Sequence, residues 1–411
     1  MRILVVSSIF HPNRIGGAEA VALLLARELS ARGHGVDVLA STGRRGGPPG
    51  LAERAVDGVS GVVREAPSVG LYDLLESNRP QPGLPTRAIH HALQAHSPHW
   101  ERLAGEALRR APPDVVHTHN IVGLTTAVWR AARSAGVPIV HTLHDYHLLC
   151  SRTTLLRRDG TSCVAPPWPC RLLARAKLAP ADAVSVLTAP SRFTLERHLA
   201  AGAFPRARHL VVPNAPEPVP ADRPAREPAA ANHGLFLGQL QAHKGVRELL
   251  TAVMTLAAGR PEFRFALAGE GPLRGEVERF CAGQAGACRY LGRIDGAQRE
   301  AAFAEAGFLV LPSLWPEVAG LVLVEAAARG LPVITTARGG CGEYVTNGET
   351  GQIVEPEPGA LAAAMARYLD DPELARRHGQ AGARRAAAWT RTHQVEAFLA
   401  IYSELTGMPP R

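Results

Sequence analysis

Short apolar runs alternate with segments of helical period along nearly the whole chain, and this alternation constrains the fold more than any other feature. In the first half, residues 2–8, 36–40, 115–117, 138–142, 183–187 and 209–212 read as strands. Helices are expected over 18–32, 122–134 and 191–201. Strand-helix-strand repeats of this kind build parallel, doubly wound sheets. The pattern stops where Pro213, Pro216, Pro218, Pro220, Pro224 and Pro228 fall within sixteen residues. Proline locks φ and removes a backbone donor, so neither a helix nor a central strand passes through such a stretch. The alternation then restarts, with strands over 234–237, 263–268, 290–292, 308–312 and 332–335. Helices are expected over 246–257, 273–282 and 320–329, and from there to the C-terminus. The expected fold class is therefore α/β, with two Rossmann-like doubly wound domains facing a cleft. The expected boundaries are 1–215, a linker over 216–232, a second domain over 233–385, and a final helix in 386–411 returning to the first domain.

The chain has 411 residues, enough for two hydrophobic cores. Its 45 basic and 37 acidic residues give a net charge of +8, which suits anionic partners. The basic residues are scattered, with no basic run interleaved with aromatics, so nucleic acid is not an expected partner. No run of 18 apolar residues marks a membrane span. Residues 2–6 read as a buried strand and not as a signal peptide, so a cytoplasmic location is expected. The arginine-rich segment 171–177 is a candidate for peripheral contact with an anionic membrane. Only two lysines occur, Lys177 and Lys244, so a lysine inside a motif calls for a specific role.

The motif richest in chemistry is Pro312-Ser313-Leu314-Trp315-Pro316-Glu317-Val318-Ala319-Gly320-Leu321-Val322, followed by Glu325. A strand ends at Pro312, a loop carries Glu317, and a helix opens near Gly320. The first-turn N–H groups of such a helix, with its dipole, favour a phosphate. Glu325, one and a half turns further on, is placed to accept hydrogen bonds from a ribose diol. Histidines cluster between 117 and 147, and His119 follows a strand at its carboxyl end, where site residues of such sheets gather. His144 and Asp145 occupy the same position after the next strand. Cys150, Cys163 and Cys170 follow in a loop read as irregular. Their spacing lacks a close Cys-x-x-Cys pair, which leaves zinc a weak option beside free thiols.

These segments, in this order, resemble the retaining GT-B glycosyltransferases of the "glycosyl transferases group 1" family. The resemblance rests on the two glutamates separated by seven residues and on Gly16-Gly17-Ala18-Glu19, Pro190-Ser191-Arg192-Phe193, Val212-Pro213-Asn214, Phe236-Leu237-Gly238 and Lys244-Gly245. Gly269-Glu270-Gly271-Pro272-Leu273, Tyr290-Leu291-Gly292 and Gly348-Glu349-Thr350-Gly351 complete it. It implies a hexosyltransferase-type enzyme that moves a sugar from a nucleotide diphosphate to a glycan, lipid-linked or small-molecule acceptor. UDP-sugars are the favoured donors and GDP-mannose the alternative. Catalytic roles fall on Glu317, His119 and Lys244. Donor binding falls on Gly17, Gly238, Gln239, Lys244, Glu270, Arg293, Gly320, Leu321, Val322 and Glu325. No metal and no further cofactor is expected, because no Asp-x-Asp motif precedes the donor site. Gln239 stands where family members often carry arginine. Two other readings remain open: an epimerase or hydrolase of nucleotide sugars on the same fold, and a catalytically silent nucleotide-sugar binding protein.

Overall fold

The computed structural model describes residues 1–13, 16–44, 46, 50–69, 71, 84–220, 232–284 and 286–409. The chain forms two compact units. The first comprises Met1–Arg157, Ser162–Pro213 and Arg391–Arg411; the second comprises Arg158–Thr161 and Asn214–Thr390. Of the expected linker, residues 221–231 lie outside the described residues.

The first unit runs β1 (Arg2–Ser7), α1 (Gly17–Ala31), β2 (Gly35–Ser41), β3 (Ala52–Arg54), β4 (Val63–Ala66), α2 (Leu84–Ala95), α3 (Pro98–Arg110), β5 (Val115–Thr118), α4 (Ala127–Ser134), β6 (Ile139–Thr142), α5 (Trp168–Leu178), β7 (Val186–Ala189), α6 (Arg192–Leu199) and β8 (Arg208–Val211). Its sheet has the order β3-β4-β2-β1-β5-β6-β7-β8, and the pairs other than β3–β4 are parallel. Central strands β1, β5, β6 and β7 are buried on both faces beyond Arg2, so they are mainly apolar, and polar members such as His117, Thr118, His141 and Thr142 are hydrogen-bonded to one another. Local capping fixes the helix starts. Ser97 accepts a hydrogen bond from the Trp100 N–H ahead of Pro98, and Ser191 accepts one from Thr194.

The second unit runs β9 (His233–Leu237), α7 (Val246–Gly259), β10 (Arg264–Ala268), α8 (Arg274–Gly283), β11 (Cys288–Tyr290), α9 (Gly296–Glu305), β12 (Phe308–Leu311), α10 (Leu321–Ala328), β13 (Val333–Thr335), α11 (Cys341–Tyr344), β14 (Gly351–Ile353), α12 (Pro358–Asp370) and α13 (Pro372–Ala386). All its strands are parallel, in the order β11-β10-β9-β12-β13-β14. The last helix, α14 (Arg391–Thr406), belongs to the first unit, where Val395, Phe398, Leu399, Ile401 and Tyr402 join the core around β1 and β5. The Tyr402 hydroxyl lies 2.5 Å from His117 Nδ1.

The structure corrects four sequence expectations. The helix expected over 122–134 begins only at Ala127, because Gly123 (φ 83°) and Thr125 (φ 66°) turn the chain through the left-handed region. The strand expected over 290–292 spans Cys288–Tyr290, and Gly292 turns away with φ 67°. Residues after 335 are not all helical: β14 adds a sixth strand, three residues long and too short to show a period. The loop read as irregular around Cys170 contains α5, opened by the Pro-Trp-Pro sequence at residues 167–169.

Candidate functional site

In the second unit, β9 lies between β10 and β12, and the chain winds outward from it in both directions. The loops after β9 and β12 therefore diverge at the carboxyl end of the sheet, which is where doubly wound sheets hold ligands. The first loop carries Gln239 and Lys244; the second carries Ser313, Trp315 and Glu317. They meet although 73 residues separate them: Lys244 Nζ donates to Glu317 Oε1 at 2.7 Å. Gly245 makes this approach possible. It adopts φ 72°, and a Cβ there would sit 2.0 Å from the Pro312 carbonyl oxygen. Gly245→Ala is expected to destabilise the protein by roughly 2–4 kcal/mol, from left-handed strain and a clash with rigid backbone. Denaturant unfolding of the variant checks this.

Glu317 is buried. Burial pushes its carboxyl pKa upward, but the Lys244 charge and hydrogen bonds from Lys244, Ser313 and Trp315 outweigh this and hold it below its ordinary value. The Lys244 ammonium also lies 4.8 Å from the centre of the Trp315 ring. His243 meets the same ring edge-on at 5.2 Å, and burial with the neighbouring Lys244 charge lowers its pKa to about 4. A fixed cation thus stands beside an ionised carboxylate at the end of β12. Just beyond, Gly320 caps α10 in the left-handed conformation (φ 68°), and Leu321 and Val322 begin the helix half-buried. The N–H groups of a helix's first turn have no partner within the helix, so they present positive dipole ends to an anion.

Glu325 is 1% exposed, and its carboxylate accepts a hydrogen bond from the Arg299 guanidinium. Arg299 lies 3.3 Å from Glu217 as well, while Arg329 donates to the Glu325 carbonyl at 3.0 Å. The ribose-facing reading of Glu325 thus acquires a buried arginine partner. Removing the Glu325 carboxylate leaves the buried Arg299 with the more distant, partly exposed Glu217 as its carboxylate partner. Glu325→Ala is therefore expected to cost about 3–5 kcal/mol of stability, and Glu325→Leu combined with Arg299→Met clearly less than that. Chemical denaturation of both variants distinguishes these outcomes.

The remaining donor-side candidates are spread along the same sheet end. Gly238 donates to the Ala268 carbonyl at 3.0 Å, which ties the ends of β9 and β10 together. Gln239 accepts from the Gln241 amide at 3.1 Å. Glu270 is exposed, 3.2 Å from Arg274. Arg293 is exposed in the turn after β11.

In the first unit the equivalent position lies between β1 and β5, adjacent strands in the centre of the sheet. Gly16 and Gly17 open α1 after β1, with the Gly16 N–H bound to Glu19 at 2.8 Å. His119 follows β5, its own N–H bound to the Val6 carbonyl at 2.8 Å. His119 Nδ1 lies 2.9 Å from His144 Nε2, and its other nitrogen, Nε2, is buried without a hydrogen-bond partner among the described residues. Burial and the neighbouring histidines drive the His119 pKa well below its ordinary value, so the ring is neutral. A neutral ring with one nitrogen engaged can hydrogen-bond a sugar hydroxyl through the other.

Residues 223–385 match the family model described as "Glycosyl transferases group 1", and residues 16–215 match that of the "Glycosyl transferase 4-like domain". The glycogen synthase of Mycobacterium tuberculosis is 30% identical over 396 residues, covering 94% of this chain and 90% of that protein. The chain belongs to the group 1 glycosyltransferases.

This glycosyltransferase has the GT-B fold. Sucrose-phosphate synthase from Thermosynechococcus elongatus superimposes with a TM-score of 0.73 at 19% identity, covering 99% of this chain and 100% of the other. Anabaena HepE in complex with UDP-glucose superimposes with a TM-score of 0.69 at 18% identity, covering 98% and 100%. The glycosyltransferase's Lys244, Glu317 and Gly320 lie together at one sheet end, whereas Glu270 and Arg293 sit further along it on the exposed side. Sequence reasoning missed Arg299, whose partner lies 26 residues away on another helix, and the hydroxyl and indole of Ser313 and Trp315 that hold Glu317. Cys150, Cys163 and Cys170 are half-buried free thiols, and among the described residues no three histidines, cysteines or carboxylates gather as metal ligands. Among those residues no helix is long and apolar enough to cross a membrane.

Proposed function

We propose that this glycosyltransferase binds a nucleotide diphosphate sugar on its second unit and transfers the hexosyl group with retention of anomeric configuration. The observation that carries this reading is the Lys244–Glu317 pair at the sheet switch point, followed directly by the start of α10. As the glycosidic bond breaks, negative charge grows on the leaving diphosphate. The Lys244 ammonium and the N–H groups of Leu321 and Val322 stabilise that charge more in the transition state than in the ground state. Glu317, kept ionised, fixes Lys244 and offers an acceptor to hydroxyls of the donor sugar. Glu325, oriented by Arg299, takes the ribose. On the first unit, Gly17 and His119 serve the acceptor; His119, being neutral, orients hydroxyls.

A UDP-sugar is the favoured donor, supported by the likeness to a protein solved with UDP-glucose, with GDP-mannose second. The acceptor class is a glycan, a lipid-linked glycan or a small molecule. Incubation with UDP-, GDP- and ADP-hexoses and a panel of these acceptors tests the reading. A glycoside whose anomeric proton shows the donor's configuration by NMR supports it. An inverted product overturns retention. Release of free sugar alone, at the same rate with and without acceptor, overturns transfer in favour of hydrolysis.

A further inference from the structure

Helix α5 turns its chemistry inside out. Its buried member is Lys177, whose Nζ donates to the His147 carbonyl at 2.8 Å. Two of its large apolar side chains nevertheless face outward: Trp168 is 70% exposed and Leu172 60%. At 100° per residue, Trp168, Leu172, Arg171 and Arg175 fall within about a third of the helix circumference, and Lys177 falls opposite them. Val164, just before the helix, is 75% exposed. Helix α2 packs against α5 and adds Ile89 at 55% and Leu93 at 39%, one turn apart. Among the described residues, five of the ten large exposed hydrophobic side chains therefore lie on α2, α5 and the adjoining loop. Isolated exposed apolar residues are ordinary, but such a concentration marks an interaction face.

Charge decides the partner. From Ser162 to Leu178 the chain carries Arg171, Arg175 and Lys177 and no acidic residue. Tryptophan and leucine flanked by arginines match the boundary between headgroups and acyl chains, with the guanidinium groups reaching lipid phosphates. A protein partner would need its own acidic rim around an apolar patch, whereas an anionic bilayer supplies both in one surface.

We propose that the outer face of α5, extended by Val164, Ile89 and Leu93, docks this glycosyltransferase on an anionic bilayer. The sequence expectation placed such contact in residues 171–177. Lys177 is buried and does not take part, and the contact centres on Trp168, Leu172, Arg171 and Arg175.

The test uses the full chain with vesicles of pure phosphatidylcholine and of phosphatidylcholine with a third phosphatidylglycerol. Expected is co-sedimentation with the anionic vesicles, weakened by salt, and a blue shift of tryptophan emission. Trp168→Ser with Leu172→Ser should lower the apparent affinity tenfold or more, and so should Arg171→Ser with Arg175→Ser. These side chains are exposed, and unchanged circular dichroism and thermal midpoint confirm that the variants fold. Absence of wild-type binding to anionic vesicles overturns the proposal. So does equal binding to both vesicle types, or concentration-dependent self-association that the Trp168 and Leu172 substitutions abolish without any vesicle binding.

Discussion

Lowering the pH from 6.5 to 5 is expected to destabilise the first unit, by about 6 kcal/mol from three histidines alone. Burial lowers the pKa of His117 to about 3, with a smaller contribution from His144. Burial lowers His144 to about 4 against the pull of Asp145, and His198 to about 4 against its bond to the Thr194 carbonyl. His119, His141 and His147 shift in the same direction for the same first reason. The sign follows from proton counting. An unfolded histidine titrates near 6.5 and binds a proton below that pH, whereas its folded counterpart remains neutral until about 4. Each histidine therefore contributes stability that is complete above 6.5 and falls by about 1.4 kcal/mol per pH unit down to its folded pKa. At pH 5 that amounts to roughly 2 kcal/mol each, and domains have only about 5–15 kcal/mol in total. Asp145, held down to about 2 mainly by His147 against the cost of burial, begins to lose its own contribution only below the ordinary carboxylate range. It does not oppose the trend above pH 4. Urea unfolding followed through Trp129, buried 5.0 Å from His141, measures this directly. Flat stability between pH 6.5 and 5 would contradict neutral burial of the cluster.

Lys244→Met is expected to lower kcat/KM for the donor about a hundredfold to a thousandfold, the cost of removing one preorganised stabiliser of developing negative charge. The substitution also removes the cation that offsets the burial of Glu317, so the carboxyl pKa should rise above its ordinary value. Activity of the variant should then fall further as pH is lowered toward 6, a dependence absent from the wild type at this residue. Lys244→Arg keeps the charge but replaces a compact ammonium with a broad planar group against Trp315, so partial recovery is expected. Steady-state kinetics across pH on the three proteins would show it. An unchanged kcat/KM in Lys244→Met would remove the lysine from the chemistry.

The alternation of apolar runs made the two parallel sheets readable, because doubly buried strands draw mainly apolar residues to both faces. Loop-to-helix motifs such as Lys244-Gly245 and Glu317 to Gly320 were readable because left-handed glycines and helix starts leave local signatures. Contacts between distant segments left none. Nothing near Arg299 indicates that its guanidinium crosses to Glu325 on α10, and nothing near Lys177 indicates that this lysine turns inward. Thr125 shows why the helix over 122–134 was drawn too long. A left-handed threonine is uncommon, so composition argued for continuation while the tertiary fold imposed a turn. His144 was legible as a strand-end residue, but its 2.9 Å pairing with His119 depended on the adjacency of β5 and β6.

Calorimetric titration of the wild type and Lys244→Met with UDP, GDP and ADP, in the presence of EDTA, tests the donor site most directly. Expected is saturable binding of one nucleotide diphosphate by the wild type, UDP in the favoured case, and at least tenfold weaker binding by the variant, a loss of about 1.4 kcal/mol. Binding of none of the three by a folded wild-type protein, or equal binding by both proteins, would contradict a donor diphosphate held by Lys244 at the start of α10.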